Sequence, residues 1–444
     1  MAQLFTYNVA EFVPFYMEED DALQEAIQRS LQEDDGPDVD ILRSSEMLTA
    51  EEIQGRLAAH SDRVITPGKR HINISRASVW TTALQAFKRP SFAEGCDMLS
   101  VTFASDEHAE DAADLGGPRR EFFRLLVKAI LQDSGAFEGT PNGCMPRLNI
   151  LHLQNGVYKI IGRMMSTIIV QGGEPPAFLS PSVVDYIVHG DILQLRVTPD
   201  DISDFVIREN LNKVLHATSH DELEEAISSC DWRFQMEGLP AQVTMDNRDA
   251  FVRNAVLYHT VLRRQSCIDQ LTDGLSHYGV LKLVRENPSM CVLLQKGQEN
   301  DLTAAAVSGI MKPSYSVPGS NRRRLEELLV VKFREFLNCV ENKNLRETFD
   351  EGRKITVEEE DFLGALSPGH ILAYATGSSR VPAIGFRPSP KLVFVHDGGK
   401  NLPVAHTCAN ELLLFVNTKM IAANDEFNYH FLTALMNGAV FSTI

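Results

Sequence analysis

The chain lacks any apolar run approaching the roughly 18 residues that a membrane-spanning helix needs, so no membrane-embedded segment is expected. It lacks a basic excess: 42 Lys and Arg stand against 60 Asp and Glu, for a net charge of −18. An acidic chain repels phosphate backbones, which argues against nucleic acid as a partner and in favour of basic partners. Residues 1–15 have neither a basic start nor a sustained apolar stretch, so no secretory leader is read there. The expected location is the cytoplasm or the nucleus, and the Asn73-Ile74-Ser75 sequon then carries no meaning. The seven cysteines are odd in number and contain no C-x-x-C pair. That excludes a disulfide framework and a structural zinc site, and it fits a reducing compartment. Gly68-Lys69 lacks the flanks of a phosphate-binding loop. No metal and no cofactor are expected. The acids between Asp106 and Asp114 read as a solvated loop.

What is present is an ordinary globular composition, 44% hydrophobic and 23% charged over 444 residues, enough for two or three domains with a real core. Residues 1–17 form a lead. Residues 18–35 read as an acidic helix, with Leu23, Ala26, Ile27 and Leu31 on one face. Residues 36–70 read as a linker holding one short helix, which starts at a Thr49/Glu52 capping box and runs to about Ala59. From His71 the pattern is mixed: a strand at Met98–Phe103 and helices at Arg119–Gln132, Tyr158–Ile169, Phe251–Arg264 and Ile268–Leu283. The Pro-, Ser- and Gly-rich stretch 312–321 reads as the best internal linker. Beyond it come a helix at Arg322–Val340, strands at Lys391–Val395 and Glu411–Val416, and a helix at Glu426–Met436.

Near the C-terminus the chain reads Leu402-Pro403-Val404-Ala405-His406-Thr407-Cys408-Ala409-Asn410. This resembles the catalytic segment of HECT-type ubiquitin ligases. Further segments resemble that family in order: Gly116-Gly117-Pro118 with Arg120-Glu121-Phe122-Phe123, then Ile161-Gly162-Arg163, Val243-Thr244 with Asn247, and Thr376-Gly377-Ser378-Ser379-Arg380-Val381-Pro382 with Gly385-Phe386. The resemblance covers residues 71–444. It implies an α+β bilobal fold: a mostly helical N-lobe over 71–321 ending in a flexible hinge, and a small αβ C-lobe over 322–444. It implies a ubiquitin ligase whose nucleophile is Cys408, with His406, Thr407 and Asn410 in support and Phe441 anchoring the tail. Ubiquitin, a ubiquitin-conjugating enzyme and protein substrates are the implied partners.

The acidic helix resembles a ubiquitin-interacting motif, with Glu18 and Glu19 opening the acidic run, Leu23 and Ile27 flanking the small Ala26, and Ser30 following. Ala26 has no bulk, so a partner surface can approach the helix closely between two apolar contacts. Only a thiolate is a competent nucleophile, so Cys408 must escape apolar burial. Thr407 and Asn410 are expected to orient the loop or to donate to the tetrahedral oxyanion. The chain departs from the family in three places: a short segment between Asp201 and Ala241 where a conjugating enzyme docks, Ala409 after the cysteine, and Ile444 at the end. These departures resemble a short, divergent subgroup named for the G-two-to-M phase of the cell cycle. The alternative functions are a catalytically weak or inactive ubiquitin-binding scaffold and a cysteine hydrolase pairing Cys408 with His370 or His396.

Overall fold

The structure is a computed structural model that describes residues 48–103, 116–236, 240, 242–297, 302–350, 352–396 and 399–438. The acidic helix of 18–35, the loop around Asp106–Asp114, Phe441 and Ile444 lie outside the described residues. Short helical turns are left unnumbered below.

The folded body begins at Thr49. Helix α1 (Ala50–Val64) opens on the expected capping box: Glu52 N donates to Thr49 Oγ1 at 3.3 Å, and Thr49 N donates to Glu52 Oε2 at 2.8 Å. The helix continues past Ala59 because Ile53, Leu57 and Ser61 recur at four-residue spacing and are all buried. Ser61 Oγ donates to Val170 O at 2.7 Å. Residues 49–70, expected as linker, therefore belong to the folded body. Strands β1 (Thr66–Ile74) and β2 (Asp97–Phe103) pair in parallel, with Ile72 opposite Val101 and Ile74 opposite Phe103, and α2 (Val79–Phe87) lies between them in sequence. Next come α3 (Gly117–Gln132), the antiparallel pair β3 (Phe137–Thr140) and β4 (Gly143–Pro146), α4 (Val157–Val170) and α5 (Pro181–His189). Helix α4 is apolar on nearly every side, and Ile160, Ile161, Met164, Met165, Ile168 and Ile169 are all buried. Such a helix can only be central.

The short 201–241 segment forms a small helical subdomain. Its helices α6 (Phe205–His216) and α7 (His220–Ser228) share a core with α8 (Arg248–Thr260) through Leu211, Val214, Leu223, Ala226, Phe251 and Val252. Apolar side chains also face outward here: Leu193 is 79% exposed, Phe205 64% and Phe234 78%. A cavity of about 540 Å³ opens at this face, lined by Leu193, Met236, Arg253, Leu257, Tyr258 and Leu262. The expected helix Ile268–Leu283 is two helices, α9 (Gln265–Leu275) and α10 (Val280–Glu286). Tyr278 (φ 55°) and Gly279 (φ 73°) break it, and helical periodicity alone does not register such a kink. Where α9 crosses α4, the backbones touch at Gly162 and Gly274: a Cβ on Gly162 would sit 2.2 Å from Leu271 O.

The C-lobe contains α11 (Ala304–Ile310), β5 (Lys312–Ser314), α12 (Asn321–Glu341), α13 (Val357–Ala365), α14 (Pro368–Thr376), β6 (Lys391–Val395), β7 (Val404–His406), β8 (Glu411–Phe415) and α15 (Asn424–Met436). Its sheet has the order β5-β6-β8-β7, with β7 antiparallel to β8 and the other pairs parallel. The stretch 312–321, read from composition as the hinge, corrects that reading. Lys312, Pro313 and Ser314 pair with Lys391, Leu392 and Val393, and Ala304, Val307 and Met311 are already in the C-lobe core. Pro313 is tolerated because β5 is an edge strand, where one side of the backbone needs no ladder partner. Gln295 is bridged to Leu179, whereas Ala304 already belongs to the C-terminal core. Phe333, Phe336, Phe427 and Phe431 form the aromatic centre of the C-lobe, the Phe336 and Phe431 rings 4.5 Å apart.

One ion pair fixes the start of α15. Arg353 Nε donates to Asp425 Oδ1 at 2.8 Å, and Asp350 N donates to the same oxygen at 3.1 Å. The Arg353 hydrogen bonds hold the Asp425 carboxyl below the usual carboxylate range. A depressed folded value means that the contribution is present above the unfolded value near ~3.9 and is lost as pH falls through the folded one. Asp425→Asn is expected to lower stability by about 2 kcal/mol at neutral pH, with the gap to the parent narrowing as the pH falls below the ordinary carboxylate range. Urea melts at several pH values measure this, and a gap independent of pH would contradict it.

The fold is mixed helix and strand, as the α+β expectation requires. No helix among the described residues is long and apolar enough to cross a membrane.

Candidate functional site

Cys408 lies in the tight loop joining β7 to β8, and its side chain is half-buried. The loop closes on itself: Ala409 N donates to His406 O at 3.0 Å, and Asn410 N to Thr407 O at 3.3 Å. Asn410 takes the left-handed conformation (φ 55°) that asparagine tolerates better than most residues, and it is 0% exposed. Its Nδ2 donates to Pro388 O at 2.6 Å, and its Oδ1 accepts from Arg120 Nη2 at 2.6 Å. Asn410 is therefore a loop-holder. Its amide is buried and both polar atoms are engaged in holding the loop. His406 is exposed at the end of β7, paired across the strands with Glu411. Tyr374 OH donates to Pro403 O at 2.8 Å, which fixes the chain entering β7, and burial pushes this phenol up to about 12.

Much of the loop's support comes from the N-lobe. Arg120 on α3 is only 6% exposed. Its Nη2 donates to Thr407 O at 2.5 Å as well as to Asn410, and its Nε donates to Thr376 O at 2.7 Å. The next residue faces the opposite way: Glu121 accepts from Arg76 Nε at 2.9 Å and Nη2 at 3.2 Å, anchoring α3 within its own lobe. Gly117 makes the approach possible, since a Cβ there would stand 2.3 Å from Thr407 Oγ1 and 3.1 Å from Cys408 N. A second seam lies alongside. The Glu174 carboxylate accepts from Ser379 N, from Ser378 Oγ at 3.1 Å and from Ser379 Oγ at 2.9 Å. Ala383 N donates to Gly173 O at 3.1 Å, and Arg387 pairs with Asp62 at 2.7 Å.

Burial pushes the thiols of Cys144, Cys267 and Cys339 up, and those of Cys230 and Cys291 up to about 11. At neutral pH a thiol of that strength is ionised in only about one molecule in ten thousand. The histidines of the hydrolase alternative are engaged elsewhere: His370 Nδ1 accepts from Ser367 N at 3.0 Å, and His396 Nε2 meets Glu326 Oε1 at 2.8 Å. Among the described residues no group of His, Cys, Asp and Glu could hold a metal ion. Arg120 and Glu174 are the site residues that sequence reasoning missed. Arg120 stood inside a recognised segment, but its partners lie more than 250 residues away.

The HECT-domain (ubiquitin-transferase) family model matches residues 369–443, the stretch that holds the β7–β8 loop together with Tyr374 and Pro388. This match and the relatives that follow make the chain similar to HECT-type ligases, the G2/M phase-specific ligases among them. It is 26% identical to the G2/M phase-specific E3 ubiquitin-protein ligase of Homo sapiens over 351 residues, which is 78% of this chain and 44% of that protein. The Gallus gallus protein of the same name is 23% identical over 77% of this chain and 42% of its own length. The apoptosis-resistant E3 ubiquitin protein ligase 1 of Homo sapiens is 24% identical over 77% of this chain and 40% of its own length. The matched part of the chain thus spans less than half the length of these relatives.

Proposed function

We propose that the protein is a ubiquitin ligase that carries ubiquitin as a thioester on Cys408. The observation that supports this most is the placement of Cys408: a half-buried cysteine on a tight loop held by Arg120 and Asn410, within the residues that match the HECT-domain family model. In the first step the Cys408 thiolate attacks the carbonyl of a ubiquitin thioester on a conjugating enzyme. The tetrahedral centre collapses and expels that enzyme's thiolate. In the second step a substrate lysine amine attacks the new thioester, forms the isopeptide bond, loses its proton and releases the Cys408 thiolate. One thioester replaces another first, so that step is nearly isoenergetic. The amide formed second draws the sequence forward.

The conjugating enzyme docks on the outward apolar face of the α6–α8 subdomain, around Leu193, Phe205 and Phe234. Ubiquitin is also held by Glu18, Glu19, Leu23, Ala26, Ile27 and Ser30, and Phe441 anchors the tail during transfer. The reaction takes place in the cytoplasm or the nucleus. Incubating the full chain with a panel of ubiquitin-loaded conjugating enzymes is expected to give a thiol-reducible adduct that mass spectrometry maps to Cys408. If no conjugating enzyme gives the adduct while ubiquitin still binds, the chain is a ubiquitin-binding scaffold instead.

A further inference from the structure

Two segments first noticed as family resemblances, Gly116–Phe123 and Thr376–Phe386, face each other across the lobe boundary. The first places a buried arginine against the second and against the Cys408 loop together. Arg120 sends three hydrogen bonds into the C-lobe, two of them to the residues on either side of Cys408-Ala409. The rigid fork of a guanidinium fixes the relative positions of the acceptors it joins. Here those acceptors are the carbonyl just before Cys408, the side chain that closes the loop after it, and the end of α14. Further polar contacts lie along the described seam, made by Glu174 with Ser378 and Ser379, by Asp62 with Arg387, and by one backbone pair, and Ile384 packs against Gly172 beside them. Water takes over exposed polar contacts of this kind when two parts of a chain separate, whereas the buried Arg120 contacts are lost outright.

The geometry points to Arg120 as a positioning residue: it holds the Cys408 loop in its reactive shape only while the two lobes are docked on each other. The N-lobe then completes the site across the boundary. This inference rests on the reading of Cys408 as the ubiquitin-carrying residue. Lobe separation removes the donors from Thr407 O and Asn410 Oδ1 together and leaves the loop to its own few hydrogen bonds. A displacement of an ångström at a reacting atom is enough to cost a large factor in rate.

The test is single-turnover discharge of ubiquitin from the loaded full-length protein to free lysine. Its rate constant counts only molecules that have folded and been charged, so a variant that merely folds poorly lowers the amplitude and leaves the rate constant alone. Arg120→Gln is expected to slow discharge by about tenfold to a hundredfold. If Arg120→Gln melts far below the parent, Arg120→Lys carries the same test, since one ammonium cannot reach all three acceptors. A discharge rate constant equal to the parent's overturns the proposal. If the parent never charges, the proposed function falls, and hydrogen exchange over residues 404–412 decides the positioning role separately. Faster exchange in the Arg120 variant supports it, and unchanged exchange overturns it.

Discussion

Cys408→Ser is expected to end isopeptide formation while leaving the protein folded. A serine hydroxyl at neutral pH is a far weaker nucleophile than a thiolate. Removing the covalent nucleophile from an acyl-transfer enzyme costs on the order of 10⁴-fold or more in rate. The side chain is half-buried in a loop, and the described hydrogen bonds that hold that loop come from its neighbours, so the change removes little structural support. A slowly formed adduct that resists thiol reagents is the expected residue of activity, because an oxyester replaces the thioester. Chain synthesis at the parental rate in Cys408→Ser would place the chemistry elsewhere. The measurement must include Cys96, Cys144, Cys291 and Cys339, which are also half-buried.

The second large effect falls on stability. Gly162→Ala places a methyl 2.2 Å from Leu271 O and 2.9 Å from Gly274 Cα, and both are backbone atoms of α9. A flexible side chain could swing away from such a contact, but a helix backbone cannot. The central helix α4 and its partner α9 must separate, at a cost of about 3 kcal/mol or more, which lowers Tm by roughly 6–12 °C for a domain of this size. Gly55→Ala is the matched control. Gly55 is an exposed residue of α1 with nothing within 4 Å of its added Cβ. The same chemical change there is expected to raise stability by about 0.5–1 kcal/mol through helix propensity. Opposite signs from one substitution type, read by thermal melting, check the packing of the N-lobe. A Gly162→Ala protein that melts with the parent would contradict it.

Much of the architecture was legible from local pattern. A short apolar run marked Lys391–Val395 with the observed bounds of β6, and helical spacing marked the core of α12. The hinge was misplaced because composition reports what a segment is made of, while strand pairing depends on what runs beside it. Lys312–Ser314 contains a proline and two polar residues, yet it finds Lys391–Val393 within reach. The extent of α1 was underestimated for a related reason. Its buried face is narrow, and its packing partner α4 lies about 100 residues further on. At the site, Asn410 was recognisable as important but its task was not: a positive φ and a buried amide become visible only with the loop folded. Arg120 was hidden most completely. Nothing local distinguishes an arginine that caps its own helix surface from one that reaches into another lobe.

The Arg120 contact has a consequence for how the sequence can change over generations. One side chain on α3 serves two acceptors in the β7–β8 loop and one at the end of α14. An altered residue at 120 strands three acceptors at once, and an altered residue at 410 strands a buried guanidinium. Neither end has a tolerable single step, so the positions are free to drift only as a set. Relatives of this chain that lose the Cys408 loop's function should therefore show joint decay at 120, 174, 378, 379 and 410 before the hydrophobic cores begin to erode.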